Sequence, residues 1–366
     1  MKLRPGAALA AALVALHCTA LVAASRLKGA AGGASASLAD FDHLRQSIVR
    51  IQAVAQTFDW LAPFQPGQDQ VGLGSGFAVQ ADPYPLFVTN QHVVNDAKQV
   101  TLQLLLYGEQ MWEAEVVSVC PHFDLALLVL KSPGKFHEAM ESRNISLQSL
   151  RLSDRVAAMG EDVVALGFPL GQDALKISKG NIAGNEEVDG NICIQSTAPI
   201  SPGNSGGPLL DGAAQEVVGV NFAKATEGEN INYVIPAWRV SQLVRKHLKD
   251  QAPQPGGPGH LTPKVPTFRR LPVKIPRVDL VTVEANEALY DGSRGCDRGI
   301  YMPRVGKRSF FTKAEPPVLG GSFLTAVNGV ELDQFGMGLN AEYAADRVSF
   351  NDLFFMIPDL SENIEV

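Results

Sequence analysis

Three side chains in this sequence could together break an acyl bond: a serine in a glycine-rich turn, a histidine closing an apolar run, and an aspartate opening another. The serine is Ser205, in Ser201-Pro-Gly-Asn-Ser-Gly-Gly-Pro-Leu-Leu210. Glycines and prolines on both flanks make a stiff turn that presents one hydroxyl and aims backbone N–H groups at one point. The same composition also closes ordinary hairpins around an inert serine. A serine hydroxyl is a poor nucleophile without a base, so the chemistry requires a histidine and a carboxylate from elsewhere in the chain.

Beyond the leader the histidines are His43, His92, His122, His137, His247 and His260. His92 ends an apolar run in Phe87-Val-Thr-Asn-Gln-His-Val-Val94, where a strand terminus can present a base from a rigid core. His122 is a second candidate, but it shares a short segment with the nearest acid. His43, His137, His247 and His260 stand in polar contexts and read as surface residues. Asp124 directly precedes Leu125-Ala-Leu-Leu-Val-Leu130. A carboxylate against so apolar a strand needs hydrogen-bond donors, and an imidazole N–H is one, with its tautomer fixed in return. A strand-initiating aspartate is the plainer alternative.

The elements that must carry these residues are short apolar runs broken by Gly, Pro and Asn. They predict strands at Ile48–Gln56, Gly74–Gln80, Leu86–Asn90, Gln99–Leu106, Glu113–Val119, Leu125–Leu130, Asp162–Gly167, Gly180–Ala183, Asn191–Gln195, Pro208–Leu210, Glu216–Phe222 and Ile231–Ile235. Helical spacing is read at Ala39–Arg50 and Trp238–Lys249. Many short strands without βαβ alternation point to a mainly β barrel or sandwich. The order His92, Asp124, Ser205, with gaps of 32 (124 − 92) and 81 (205 − 124), is that of chymotrypsin-type double barrels.

Five segments then carry a resemblance: Gly74-Ser-Gly-Phe77, Val88-Thr-Asn-Gln-His-Val-Val94, Phe123-Asp-Leu-Ala-Leu127, Leu166-Gly-Phe-Pro169 and Pro202-Gly-Asn-Ser-Gly-Gly-Pro208. In this order they closely resemble the HtrA/Deg serine proteases, over roughly Ser47 to Val244. The resemblance implies a trypsin-like double β-barrel over 41–250 and endoproteolysis of unfolded or damaged proteins without a nucleotide. It also implies homo-oligomers built from trimers. It carries the catalytic roles to His92, Asp124 and Ser205. The oxyanion site falls on the Gly203, Asn204 and Ser205 backbone, with the N–H groups of Gly203 and Ser205 as donors and Asn204 shaping the turn. Substrate-binding candidates are Pro199, Ile200, Val220 and Asn221. The family's T-D-A-A-I-N is here Ser196-Thr-Ala-Pro-Ile-Ser201, and Pro199 stands where Arg- and Lys-cleaving trypsins carry an acid. Cleavage after small or medium apolar side chains is therefore expected. Two other readings are a chaperone-like or peptide-binding protein on a protease scaffold, and a regulatory protease with one partner.

Composition bounds the rest. The 366 residues allow two or three domains, and 46 % hydrophobic residues can bury a large core. A net charge of −7 and the lack of a basic patch argue against a nucleic-acid partner. Cys18, Cys120, Cys193 and Cys296 form neither a disulfide framework nor a metal spacing, so no metal and no cofactor are expected. Residues 1–25 read as a signal peptide and 26–40 as a flexible or transit-like spacer, which predicts export from the cytosol or delivery to an organelle. Residues 251–277 are a Pro/Gly-rich linker. Residues 278–366 resemble a PDZ domain, an α+β unit that adds a peptide to a sheet edge. Its signals are a strand at Gly299–Val305, two strands around the Asn328-Gly329 turn, and a helix capped by Ser349.

Overall fold

The computed structural model describes residues 44–57, 61, 64, 67–81, 84–188, 191–224, 231–251 and 278–282. It further describes residues between 298 and 353, with gaps at 308–309, 314, 328, 340–346 and 351–352. Residues 1–40, expected to be a leader and spacer, and residues 252–277 of the expected linker lie outside the described residues, while Gln251 ends a helix.

Six strands close the first barrel: β1 (Ile48–Gln56), β2 (Asp69–Val79), β3 (Leu86–Thr89), β4 (Ala97–Gln103), β5 (Met111–Cys120) and β6 (Leu125–Leu130). They run in the order β1-β2-β3-β6-β5-β4, and β1 pairs with β4 to complete the ring. Helix α1 (Pro133–Glu141) follows and lays Phe136 and Met140 against the barrel. The second half contains β7 (Arg151–Leu152), β8 (Asp162–Gly167), β9 (Lys176–Val188), β10 (Asn191–Ser196), β11 (Pro208–Asp211), β12 (Glu216–Lys224) and β13 (Asn232–Pro236). Its order is β11-β8-β9-β10-β13-β12, and the β11–β12 pairing closes a second ring. The short β7 adds in parallel at β12. Helix α2 (Ala237–Gln251) ends the unit.

The apolar runs of β3 and β6 have a physical reason. Alternate residues of a strand face opposite sides. Leu86, Val88, Leu125 and Leu127 enter a core shared between the two halves, with Val164, Leu166, Leu210, Val220, Ile235 and Val240. Phe87, Ala126 and Leu128 face the interior of the first barrel, with Ile51, Val100 and Leu102. Both faces are buried, so neither strand has a polar face, and each buried Leu, Val or Phe contributes about 1.5–3 kcal/mol. The second barrel fills with Val163, Ala165, Ile194, Leu209, Val218 and Val234.

Two expectations need correction. The helical reading of Ala39–Arg50 fails in its described part: residues 44–46 form a single 3-10 turn and Ile48 begins β1. Its apolar residues satisfy either period over so short a window, and pairing with β2 and β4 decides. His247 is not a surface residue. It is 3 % exposed, on the face of α2 that meets Leu86, Phe136 and His137 around a cavity of about 240 Å³.

Beyond the linker are β14 (Val278–Thr282), β15 (Ile300–Val305), β16 (Ser322–Leu324), β17 (Ala326–Val327), β18 (Val330–Glu331), β19 (Met337–Gly338) and β20 (Val348–Ser349). β14, β15 and β16 make one antiparallel sheet, and β17 and β18 pair antiparallel. Ile300, Met302, Phe311, Leu324 and Leu353 pack into one cluster with Ile192 of β10 and Trp238 of α2, so this part sits against the second barrel.

Candidate active site

His92, Asp124 and Ser205 each lie in a connection, not within a strand, and the strands fix where the connections meet. β3 ends at Thr89, and Val93 and Val94 are buried again just beyond, so His92 is held from both sides. β5 and β6 join through a tight turn in which Phe123 N–H donates to the Cys120 carbonyl at 3.2 Å. Asp124 closes that turn with φ of 51°, a left-handed conformation that Asp adopts more readily than most residues. The carbonyl of Asp124 accepts the Asn90 amide at 2.8 Å and the Gln91 N–H at 3.1 Å, which locks the two turns together.

The carboxylate then meets the imidazole. Asp124 Oδ2 lies 2.6 Å from His92 Nδ1, and Oδ1 accepts the backbone N–H of His92 at 2.8 Å. With an ionised carboxylate, Nδ1 carries the proton and Nε2 is left as the basic nitrogen. The His92 side chain is 48 % exposed and that of Asp124 is 23 % exposed, so the imidazole is the more open of the pair and the carboxylate the more sheltered.

Ser205 comes from the second barrel, in the turn between β10 and β11. The Asn204 N–H donates to the Ser201 carbonyl at 2.9 Å, Gly206 N–H to Asn221 at 2.8 Å, and Gly207 N–H to Asn204 at 2.9 Å. Among the described residues the N–H groups of Gly203 and Ser205 have no acceptor. The Pro202 carbonyl accepts the Leu170 N–H at 2.5 Å. In a trans peptide the N–H points opposite to the carbonyl, so the Gly203 N–H is turned away from Leu170. Gly203 has φ of 98°, and a Cβ there would lie 2.3 Å from the Phe168 carbonyl oxygen, so only glycine fits. Ser205 Oγ donates to the Phe222 carbonyl at 3.4 Å and makes no hydrogen bond to His92.

The barrels meet at Ser75, a residue to which the sequence reading gave no role. It is fully buried on β2. Its N–H donates to the Ser205 carbonyl at 2.8 Å, and its hydroxyl donates to the Gly203 carbonyl at 2.7 Å. The same hydroxyl accepts the Phe168 N–H at 2.9 Å. A small polar residue between glycines, in a strand otherwise apolar at its end, was the available signal. Arg50 supports the neighbouring loop, donating to the Gly171 carbonyl at 2.8 Å and to Asp173 at 3.0 Å.

The substrate-binding candidates divide. Pro199 is exposed, Ile200 is 5 % exposed in the second-barrel core, and Val220 is fully buried between the barrels. Asn221 is also fully buried. It braces the serine turn, its N–H donating to Gly207 at 2.9 Å and its amide to the Pro208 carbonyl at 3.2 Å. No group of three or more His, Cys, Asp or Glu side chains able to hold a metal ion occurs among the described residues.

Two closed barrels that deliver a His–Asp pair from one and a serine turn from the other define the trypsin-like peptidase domain, and residues 74–220 match the trypsin-like peptidase domain family. Within that class the relatives it resembles include proteases of the HtrA/Deg type. It is 28 % identical over 225 residues to the mitochondrial protease Do-like 4 of Arabidopsis thaliana, covering 60 % of this chain and 40 % of that protein. It is 31 % identical over 193 residues to a DegP-like periplasmic serine endoprotease, designated probable, of Chlamydia pneumoniae, covering 51 % of this chain and 36 % of that protein. The active form of a protease from M. tuberculosis is 26 % identical, covers 58 % of this chain and 88 % of its own, and superposes with a TM-score of 0.45. The chain spans about two fifths of the length of the curated relatives it matches.

Proposed function

We propose that this protein is a serine endopeptidase of the HtrA/Deg type that hydrolyses peptide bonds in unfolded or damaged protein chains. The observation that carries this reading is the 2.6 Å contact between His92 Nδ1 and Asp124, which leaves Nε2 as the basic nitrogen of a half-exposed ring. Ser205 Oγ rotates from the Phe222 carbonyl toward His92, which takes its proton as the hydroxyl attacks the substrate carbonyl. Asp124 stabilises the imidazolium. The unengaged N–H groups of Gly203 and Ser205 receive the oxyanion, and removing such a donor costs about 10²–10³ in rate. His92 then protonates the leaving amine, and water resolves the acyl-enzyme.

No residue from Thr197 to Asn204 is charged. This supports cleavage after small or medium apolar side chains, with Pro199 and Ile200 shaping the approach and Val220 and Asn221 backing it. The C-terminal strands are assigned as a PDZ-like unit, the assembly as a homo-oligomer based on trimers, and the site of action as a compartment outside the cytosol. The leader composition supports export, and two relatives are named as periplasmic and mitochondrial.

The test is casein digestion by the purified chain with cleavage-site mapping, beside a Ser205→Ala protein. Cleavage by the parent at apolar positions and none by the variant supports the proposal. Equal cleavage by both, or suppression of aggregation without any cleavage, overturns it.

A further inference from the structure

We infer that Asn191 and Arg239 are positioning residues for the triad aspartate, acting through the turn that carries it. This rests on the proposed peptidase reading only where it invokes turnover.

Both residues come from the second half of the molecule and hold the two residues directly before Asp124. The Asn191 amide donates to the His122 carbonyl at 2.9 Å. The Arg239 guanidinium lies 3.8 Å from the centroid of the Phe123 ring and 3.8 Å from that of Trp238. Arg239 is 1 % exposed and heads the largest fully buried side chains. A buried guanidinium is costly to desolvate, and an apolar residue of like volume would pack there at no such cost. What the guanidinium adds is a flat, cationic surface that grips an aromatic face in one orientation.

The turn needs that grip. Its internal bonds are long, 3.2 Å from Phe123 N–H to Cys120 and 3.4 Å from Asp124 N–H to Pro121, and Asp124 itself sits at positive φ. Yet the carboxylate must present both oxygens to one residue, His92. Asn191 fixes the peptide at residue 122 and Arg239 fixes the ring at 123, which leaves residue 124 little freedom. A displacement of about 1 Å at a catalytic group can cost about 100-fold in rate.

The two residues share one more feature. The chain neighbour of each, Ile192 and Trp238, packs into the core of the C-terminal strands. The turn bearing Asp124 is therefore braced at two points from the surface on which those strands are seated.

The experiment uses the full chain with Asn191→Leu and Arg239→Met, both chosen for matching volume. Two readouts are taken. One is the downfield proton resonance of His92 Nδ1–H, assigned by its loss in His92→Gln, which reports the contact with Asp124 whether or not the protein cleaves anything. The other is kcat and KM on a fluorogenic casein substrate. Each variant is expected to move or broaden the resonance and to lower kcat about 10- to 100-fold, with KM within about twofold. Arg239→Lys, which keeps the charge but lacks the planar fork, is expected to recover part of both signals, and it replaces Arg239→Met should that protein not fold. Folded variants with an unchanged resonance and unchanged kcat overturn the inference. A parent chain that cleaves nothing sinks the peptidase reading alone, since the resonance still decides this one.

Discussion

Asp124 accepts two hydrogen bonds from the same residue, one from the backbone N–H of His92 at 2.8 Å and one from its ring at 2.6 Å. The first ties the aspartate to the path of the chain and the second to the ring. The aspartate therefore sets where the imidazole is and which way it faces.

Asp124→Asn is expected to keep this frame and spoil the proton inventory. An amide that donates toward Nδ1 favours the tautomer protonated at Nε2, which cannot take the serine proton. Turnover should fall by about 10⁴ with little change in thermal unfolding. Steady-state kinetics beside a melting curve checks this, and a loss below tenfold contradicts the role.

Ser75 tests the joint between the barrels. Ser75→Ala leaves the Gly203 carbonyl and the Phe168 N–H without the partner each now has. A buried polar group left unpaired costs about 1–3 kcal/mol. With two such groups, the variant should lose about 2–6 kcal/mol of stability in urea. It should also lose kcat, because the turn holding the Gly203 N–H loosens. A variant as stable and as active as the parent would show that Ser75 is passive.

The thiol of Cys120 should be inert in the folded protein. Burial pushes it up to about 11, against opposing contributions from the Phe123 backbone and the charge of Arg239. The thiolate is the reactive form, and at pH 8 almost none is present. Alkylation followed by peptide mapping should find Cys120 protected in the native protein and modified once it is unfolded.

Glu161 links stability to pH. Two hydrogen bonds from Arg155, at 2.7 and 2.5 Å, hold its carboxyl below the usual range, with burial opposing and the Ala158 N–H assisting. A depressed carboxyl stabilises the fold above its unfolded value of about 4.3 and loses that contribution as pH falls through the lower folded value. Arg155 is 48 % exposed, so screening limits the contribution to about 0.5–1 kcal/mol. Glu161→Gln should be less stable than the parent in urea at pH 7, and the gap should narrow toward pH 3. A gap that is constant with pH contradicts the pairing.

Much of the molecule was legible from residue types in order. β3 and β6 stood out as unbroken apolar runs because both of their faces are buried, and Ser205 stood out because glycines and prolines flank it on both sides. The positions of His92 and Asp124 at strand ends followed from where apolar runs stop. Segments whose structure depends on distant pairing were not legible. Ile48–Arg50 carried two overlapping readings, the end of a helix over Ala39–Arg50 and the start of the strand Ile48–Gln56, and pairing with β2 and β4 decides for the strand. His247 looked polar by its neighbours, while α2 turns it inward.

The sequence by itself determined the chemistry available here: which side chains could act, in what order, on a chain of short strands. Those are properties of residue type and local periodicity. Only the tertiary structure decided that His92 and Asp124, 32 residues apart, meet at 2.6 Å. It also decided that the Ser75 hydroxyl reaches Gly203 across 128 positions, and that Asn191 and Arg239 brace the turn of Asp124. Such contacts arise where two closed barrels press together. The register of each ring, set by pairings far apart in the chain, places one turn against another within hydrogen-bonding distance.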